Sequence, residues 1–170
     1  AGAVEVPVTA DLLDGYGLDP AELVDRLLAT GAVGCNLEDS DHSHPGTLLD
    51  PAAVADRLAA VRSAAGQDLV INARIDAYLH NGPTATPDVL ARARRYTDAG
   101  ADCVYPVSLT DPATVGHLVE HLDAPVNANL GGATVADLAA AGASRISIGP
   151  MAFRATLAAL DEHAARLLGG

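Results

Sequence analysis

Along the chain, short runs rich in apolar and β-branched residues alternate with longer segments in which alanine and leucine recur at helical spacing. A period near 2 followed by a period near 3.6, repeated, predicts βα units around a parallel sheet. Six strands are predicted, over residues 4–10, 33–38, 69–74, 102–107, 125–129 and 145–149. Four helix starts are marked by a side-chain oxygen followed by proline, at Asp19-Pro20, Asp50-Pro51, Thr86-Pro87 and Asp111-Pro112. The oxygen caps the first turn, and proline brings a preset φ where its missing N–H costs nothing. Gly31, Gly66, Gly100 and Gly142 mark helix ends, since glycine readily takes the left-handed cap conformation. In the helix after Asp111, Val115, Leu118, Val119 and Leu122 form one apolar stripe suited to covering a sheet.

Evenly repeated units without a long break favour an α/β fold of the (β/α)8 TIM-barrel type over a doubly wound sheet, although six units are compatible with either. Such a barrel takes about eight units and commonly about 250 residues, whereas this sequence has 170 and opens almost directly in a strand. The expectation is that residues 1–170 form a single barrel domain lacking its first two βα units. Either the sequence is the later part of a longer polypeptide or another chain closes the sheet, because two bare parallel edges are avoided in natural proteins.

Composition narrows the chemistry. All ten basic residues are arginine and lysine is absent, which removes Schiff-base chemistry, pyridoxal phosphate attachment and the Walker lysine together. An anionic ligand therefore has to be held by arginine, backbone N–H groups or a metal. The formal charge of −12 and the lack of a basic patch argue against nucleic acid and anionic membranes as partners. Apolar runs are too short for a membrane span, and the first residues lack the basic start and apolar stretch of a signal peptide, so a cytoplasmic protein is expected. Cys35 and Cys103 lie in apolar, strand-like segments and read as buried free thiols.

In parallel α/β folds ligands bind at the carboxyl ends of the strands, so the residues just beyond each strand matter most. There the sequence places Asp11, then Glu38 and Asp39, then Arg74 and Asp76, then Asn127 and Asn129. Carboxylates converging from separate strands repel one another unless a cation lies between them, and hard oxygen ligands select Mg²⁺ or Mn²⁺. Arg74 offers a planar fork for a carboxylate. The plain alternative is an ion-pair network that merely closes the barrel top.

Several of these segments together resemble the isocitrate lyase/phosphoenolpyruvate mutase superfamily: residues 6–17 (VPVTADLLDGYG), 34–40 (GCNLEDS), 71–77 (INARIDA), 99–102 (AGAD) and 145–150 (RISIGP). The likeness runs through the whole chain in order, and it implies a barrel whose N-terminal portion corresponds to the absent strands. It further implies Mg²⁺-assisted making or breaking of C–C or P–C bonds beside an α-oxo or α-hydroxy carboxylate, through an enolate-like species. By motif, Asp11 resembles the metal-site aspartate of the family's D-x-D/E-x-G-Y/F-G stretch. Glu38 matches the acid that reaches the metal mostly through water, and Arg74 matches the arginine that grips the substrate carboxylate. Asn36, Gly15, Tyr16, Gly17 and Asn127 complete the candidate substrate-binding set, Gly15 and Gly17 having an equally good reading as a tight turn.

Three departures qualify the resemblance. Leu13 occupies a family acidic position and cannot bind a cation, which weakens the expected metal site. The loop after Glu38 reads DSDHSHPG and lacks the K-K/R-C-G-H motif of the isocitrate and methylisocitrate lyases, as well as the lysines of a phosphonate-forming mutase. His42 and His44 in that loop are candidate catalytic acids or bases, against a plain reading as solvent-exposed loop residues. The missing front strands would bring further ligand contacts. His117 and His121 are expected on the surface, Tyr78, His80 and Asn81 near the mouth, and the glycines at 131–132 and 149 either in ordinary turns or around a phosphate.

The resulting expectation is a Mg²⁺- or Mn²⁺-dependent lyase or hydrolase that cleaves a C–C bond of a small 2-oxo or 2-hydroxy carboxylate. The alternatives are mutase-like P–C chemistry and a catalytically degenerate member that only binds a metabolite or partner. A homo-oligomer, dimer or tetramer, is the expected assembly.

Overall fold

The computed structural model describes residues 1–169. Six parallel strands alternate with helices: β1 (Thr9–Asp11), α1 (Pro20–Ala29), β2 (Gly34–Glu38), α2 (Pro51–Ala65), β3 (Val70–Ile75), α3 (Ala77–Asn81), α4 (Thr86–Asp98), β4 (Cys103–Pro106), α5 (Pro112–His121), β5 (Asn127–Asn129), α6 (Val135–Ala140), β6 (Arg145–Ser147) and α7 (Met151–Leu168). Strands β1 to β4 form one sheet in sequence order and β5 pairs with β6. The two sheets meet where Val104 N donates to Pro125 O at 3.0 Å and Val104 bridges Val126 in parallel. The strands therefore follow one another in chain order around an arc, as in a parallel barrel. Among the described residues no ladder joins β6 to β1; the two strands touch through a 3.4 Å contact from Arg145 Nη2 to Thr9 Oγ1.

The first strand is shorter than expected. Residues 4–8 carry no strand ladder, and pairing begins at Thr9 opposite Gly34. Val4 and Val6 are exposed there, so the apolar pattern of this segment is not answered by burial. The cap at Thr86 also differs. A 3-10 turn over Gly82–Ala85 runs straight into α4, Thr86 is already helical, and its hydroxyl bonds Pro83 O instead of capping. Asp19, Asp50 and Asp111 do cap their helices, accepting from the backbone N–H groups of Ala21, Ala52 and Thr114 respectively.

Strand β3 shows why the site sits where it does. Ile71, Ala73 and Ile75 are wholly buried on one face, and alternate residues Asn72, Arg74 and Asp76 point to the other. The apolar face packs with Leu58 and Val61 of α2 and with Val89, Ala93 and Tyr96 of α4, all in one core cluster. Polar residues are thereby driven to the inside of the arc and toward its C-terminal rim. Of the predicted stripe, Val115 and Leu118 of α5 and Leu122 just past its end are buried, and Val119 is partly buried against the core. Helix α7 has no buried residue and exposes Phe153, Leu157 and Leu160. No helix among the described residues is long and apolar enough to cross a membrane.

Candidate active site

Parallel register sets Glu38 of β2 opposite Arg74 of β3, and Arg74 opposite Tyr105 of β4. Adjacent strands lie about 4.8 Å apart, so an acid, a guanidinium and a phenol stand in one row at the rim. Asp11 of β1 pairs with Asn36, two residues before Glu38, and its Oδ2 still lies 3.5 Å from Arg74 Nη1. Glu38 Oε2 comes within 2.6 Å of the same nitrogen, while Asp76 holds the other side of the fork through Nε at 2.7 Å and Nη2 at 3.0 Å. Burial opposes the charge on Arg74, but Asp76, Glu38 and Asp11 together raise its pKa, so it stays cationic.

Three carboxylates around one guanidinium leave surplus negative charge. For Glu38, burial raises the pKa, with Arg74 and His42 pulling the other way. Its Oε2 has no aligned hydrogen bond despite the nearby Nη1. His42 reaches back from the loop after β2, Nε2 to Glu38 Oε1 at 2.7 Å. His44, largely exposed, instead pairs with Asp41 at 2.9 Å. Of the two loop imidazoles, one is brought to the site and the other is turned to its own loop.

Asp11 and Arg74 open on a cleft of about 450 Å³ lined also by Asn36, Tyr105, Asn129, Ser147, Gly149 and Pro150, whereas Glu38 lines a different cavity together with Asp14 and Gly17. Asn36 accepts from Asn72 Nδ2 at 2.8 Å and so presents a fixed amide. Asn127 is fully buried behind this surface, exchanging hydrogen bonds of 3.2 Å with Ser147. It supports Ser147, which does line the cleft. Gly15, Tyr16 and Gly17 are not on this wall. Their loop leans on α2, where Arg57 Nη2 donates to Gly15 O and Leu18 O at 3.2 Å each, and Gly17 lines a separate cavity of about 230 Å³. At φ +92° Gly15 requires the left-handed region, the tight-turn reading of that residue. The glycine at 131 packs against Thr110, as close-approach glycines do.

Sequence reasoning did not single out Tyr105, Ser147, or the Arg92 and Tyr96 partners of Asp39 in the layer beneath the site. That layer centres on Asp39, wholly buried, whose Oδ2 accepts from Arg92 Nη1 at 3.1 Å and Tyr96 Oη at 2.9 Å. Burial pushes the Asp39 carboxyl up, against the Asp76 N–H and Arg92, which favour the charge. A mid-helix arginine at 92 gives no signal in sequence that it points inward. Cys35 and Cys103 are free and buried, and burial pushes both thiols up to about 11, which leaves no thiolate nucleophile near neutral pH.

A parallel α/β arc with carboxylates and an arginine gathered at its strand ends is the architecture of a barrel protein. The chain belongs to the phosphoenolpyruvate phosphomutase family, whose model matches residues 1–168. The uncharacterized protein Rv1998c of Mycobacterium tuberculosis is 35% identical over 160 residues, covering 94% of this chain and 60% of its own. The chain thus spans about 60% of the length of that relative. Among solved structures, 2,3-dimethylmalate lyase, a member of the PEP mutase/isocitrate lyase superfamily, has a TM-score of 0.82 at 25% identity, covering 95% of this chain and 60% of the other. Phosphonopyruvate hydrolase in complex with oxalate and Mg²⁺ has a TM-score of 0.84 at 25% identity, covering all of this chain and 64% of the other. The superfamily thus includes lyases and hydrolases, and the barrel-like parallel fold expected from the strand pattern is the one these structures share.

Proposed function

We propose that the cleft binds a small 2-oxo or 2-hydroxy carboxylate and, with Mg²⁺ or Mn²⁺, cleaves a C–C bond next to the oxygen-bearing carbon. The single observation that carries this is the convergence of Asp11, Glu38 and Asp76 on Arg74 at the strand ends. One guanidinium cannot neutralise three carboxylates, and a divalent cation would relieve the excess. Among the described residues no cluster of three or more His, Cys, Asp or Glu is placed to hold a metal. Two carboxylates with water completing the shell nonetheless fit Mg²⁺, which dehydrates reluctantly and is commonly bound that way. Asp11 and Glu38 would hold it, and it would supply stabilisation of the negative charge that develops on the substrate oxygen.

The chain's own residues supply the rest. Asp76 fixes Arg74 through two bonds, so Nη1 is the edge that a substrate carboxylate takes in competition with Glu38 and Asp11. His42, which contacts Glu38, would exchange a proton with the bound ligand if its loop closes over the cleft. A barrel of eight strands would place two further βα units between β6 and β1, which share no ladder among the described residues. The apolar side chains on α7 favour a dimer or tetramer built through that helix.

Calorimetry tests the reading. Mg²⁺ with oxalate, an enolate mimic, should bind more tightly than either alone, and Arg74→Ala should lower oxalate affinity at least tenfold. Silence toward both ligands would favour a degenerate member, the reading that Leu13 supports, and unchanged oxalate affinity in Arg74→Ala would remove that arginine from the site.

A further inference from the structure

The hydrogen-bond logic around Asn129 determines where the phenolic proton of Tyr105 points. Ser108 is held at φ +70°, and its backbone N–H, a donor only, lies 2.8 Å from the side-chain oxygen of Asn129. That bond fixes the orientation of the amide, because the reverse flip would set two N–H donors against each other. The Asn129 nitrogen is therefore the end that faces Tyr105, and it donates to the phenolic oxygen at 2.8 Å. With that oxygen accepting, the Tyr105 proton has to go elsewhere, and among the described residues it finds no acceptor on the protein. Tyr105 is almost buried, pairs in register with Arg74, and lines the same cleft. It stands on the side of Arg74 opposite Glu38.

We propose that Tyr105 is a substrate-binding residue that donates its phenolic hydrogen to an oxygen on the ligand end lying away from Asp11 and Glu38. This rests on the reading of Arg74 as the carboxylate clamp. Its consequence is a substrate class. The ligand carries, beyond the carboxylate held by Arg74, a second oxygen acceptor far enough along its carbon chain to reach the next strand. Asn129 and Ser147 on the same wall are neutral, so that end meets hydrogen-bonding groups and no cation. A pocket arranged to hydrogen-bond a ligand oxygen discriminates strongly against analogues that lack it.

The test is calorimetric titration of the Mg²⁺-loaded full chain with two probes, oxalate, which is too short to reach past Arg74, and racemic malate, which carries a distal carboxylate. Tyr105→Phe, nearly isosteric, should weaken malate binding roughly five- to tenfold, the worth of about one hydrogen bond, and leave oxalate binding unchanged. Arg74→Ala should weaken both. Loss of both probes in Arg74→Ala with malate unaffected in Tyr105→Phe overturns the assignment of Tyr105 alone. Equal losses of oxalate and malate in Tyr105→Phe also overturn it, since a structural disturbance would act that way, as does a wild-type chain that binds oxalate but not malate. Failure of the wild-type chain to bind either probe overturns it together with the reading it rests on.

Discussion

The carboxylate of Asp39 accepts the backbone N–H of Asp76 at 2.8 Å, so the end of β2 is bonded directly to the residue that grips Arg74. Arg92 reaches the same carboxylate from α4 and also donates to Leu49 O at 3.1 Å, where the loop carrying His42 returns to the body of the protein. Asp39 O accepts from Leu49 N at 2.8 Å, closing the base of that loop. Removing the cation should therefore be expensive. Arg92→Met leaves an uncompensated buried carboxylate and is expected to cost about 3–5 kcal/mol, read from urea denaturation. Tyr96→Phe removes one neutral donor to the same oxygen and should cost only about 1–2 kcal/mol. Equal effects of the two variants would show that the arginine is not the main counter-charge.

That buried layer also marks how far the sequence could be read. Asp11 and Glu38 were legible because each ends a strand and Arg74 because it is next to last in its own, and strand ends in a parallel fold share one rim. Residues 4–8 were misjudged as strand because an apolar alternation indicates a pairing face without guaranteeing a partner. Arg92 was invisible for a different reason. An arginine in a helix is ordinarily a solvated residue, and only the packing of α4 against β3 and β4 turns this one toward Asp39. Tyr105 was hidden by its neighbours, since Cys103 to Pro106 are all buried and the strand shows no alternation that separates its two faces.

The acids at the rim give the stability a pH dependence of definite sign. Burial raises the pKa of Glu38 from its ordinary 4.5, the effects of Arg74 and His42 notwithstanding. A carboxyl with a folded pKa above its unfolded one binds more protons when folded, so its contribution is greatest below pH about 4.5 and declines as pH rises toward the folded value. Without divalent ions, Glu38→Gln should flatten this decline, observed as a smaller loss of melting temperature between pH 4.5 and neutrality. A steeper decline in the variant would mean that the ion pair with Arg74 outweighs the burial of the charge.

Gly15 is expected to tolerate no side chain. It lies at φ +92°, and a Cβ there would meet the guanidinium of Arg57. Gly15→Ala should destabilise the chain by more than about 1 kcal/mol. Because Arg57 Nη2 binds Gly15 O and Leu18 O, the displacement should also loosen the loop next to Asp11, seen as faster amide hydrogen exchange at residues 12–18 than in the parent chain. Unchanged exchange with lowered stability would confine the effect to strain at position 15.

Leu13 offers a gain-of-function test of the metal reading. Its carbonyl accepts the Glu38 N–H at 2.8 Å and its own N–H lies 3.3 Å from Asp11 Oδ1, so its backbone adjoins both proposed ligands. It also sits at φ +50°, a region that aspartate visits more readily than leucine. Leu13→Asp therefore adds a third carboxylate without adding backbone strain. In the absence of metal the extra negative charge should lower stability slightly, by up to about 1 kcal/mol. With Mg²⁺ the sign should reverse, because ligand charge count governs the affinity of such sites and a rise of about tenfold or more is expected. Binding stabilises the folded state in proportion to the logarithm of ligand concentration over Kd, so the melting temperature of the variant should climb above that of the parent as Mg²⁺ is added. Melting curves that stay parallel over the whole titration would show that position 13 does not face the cation, and that Asp11 and Glu38 bind it, if at all, without help from this turn.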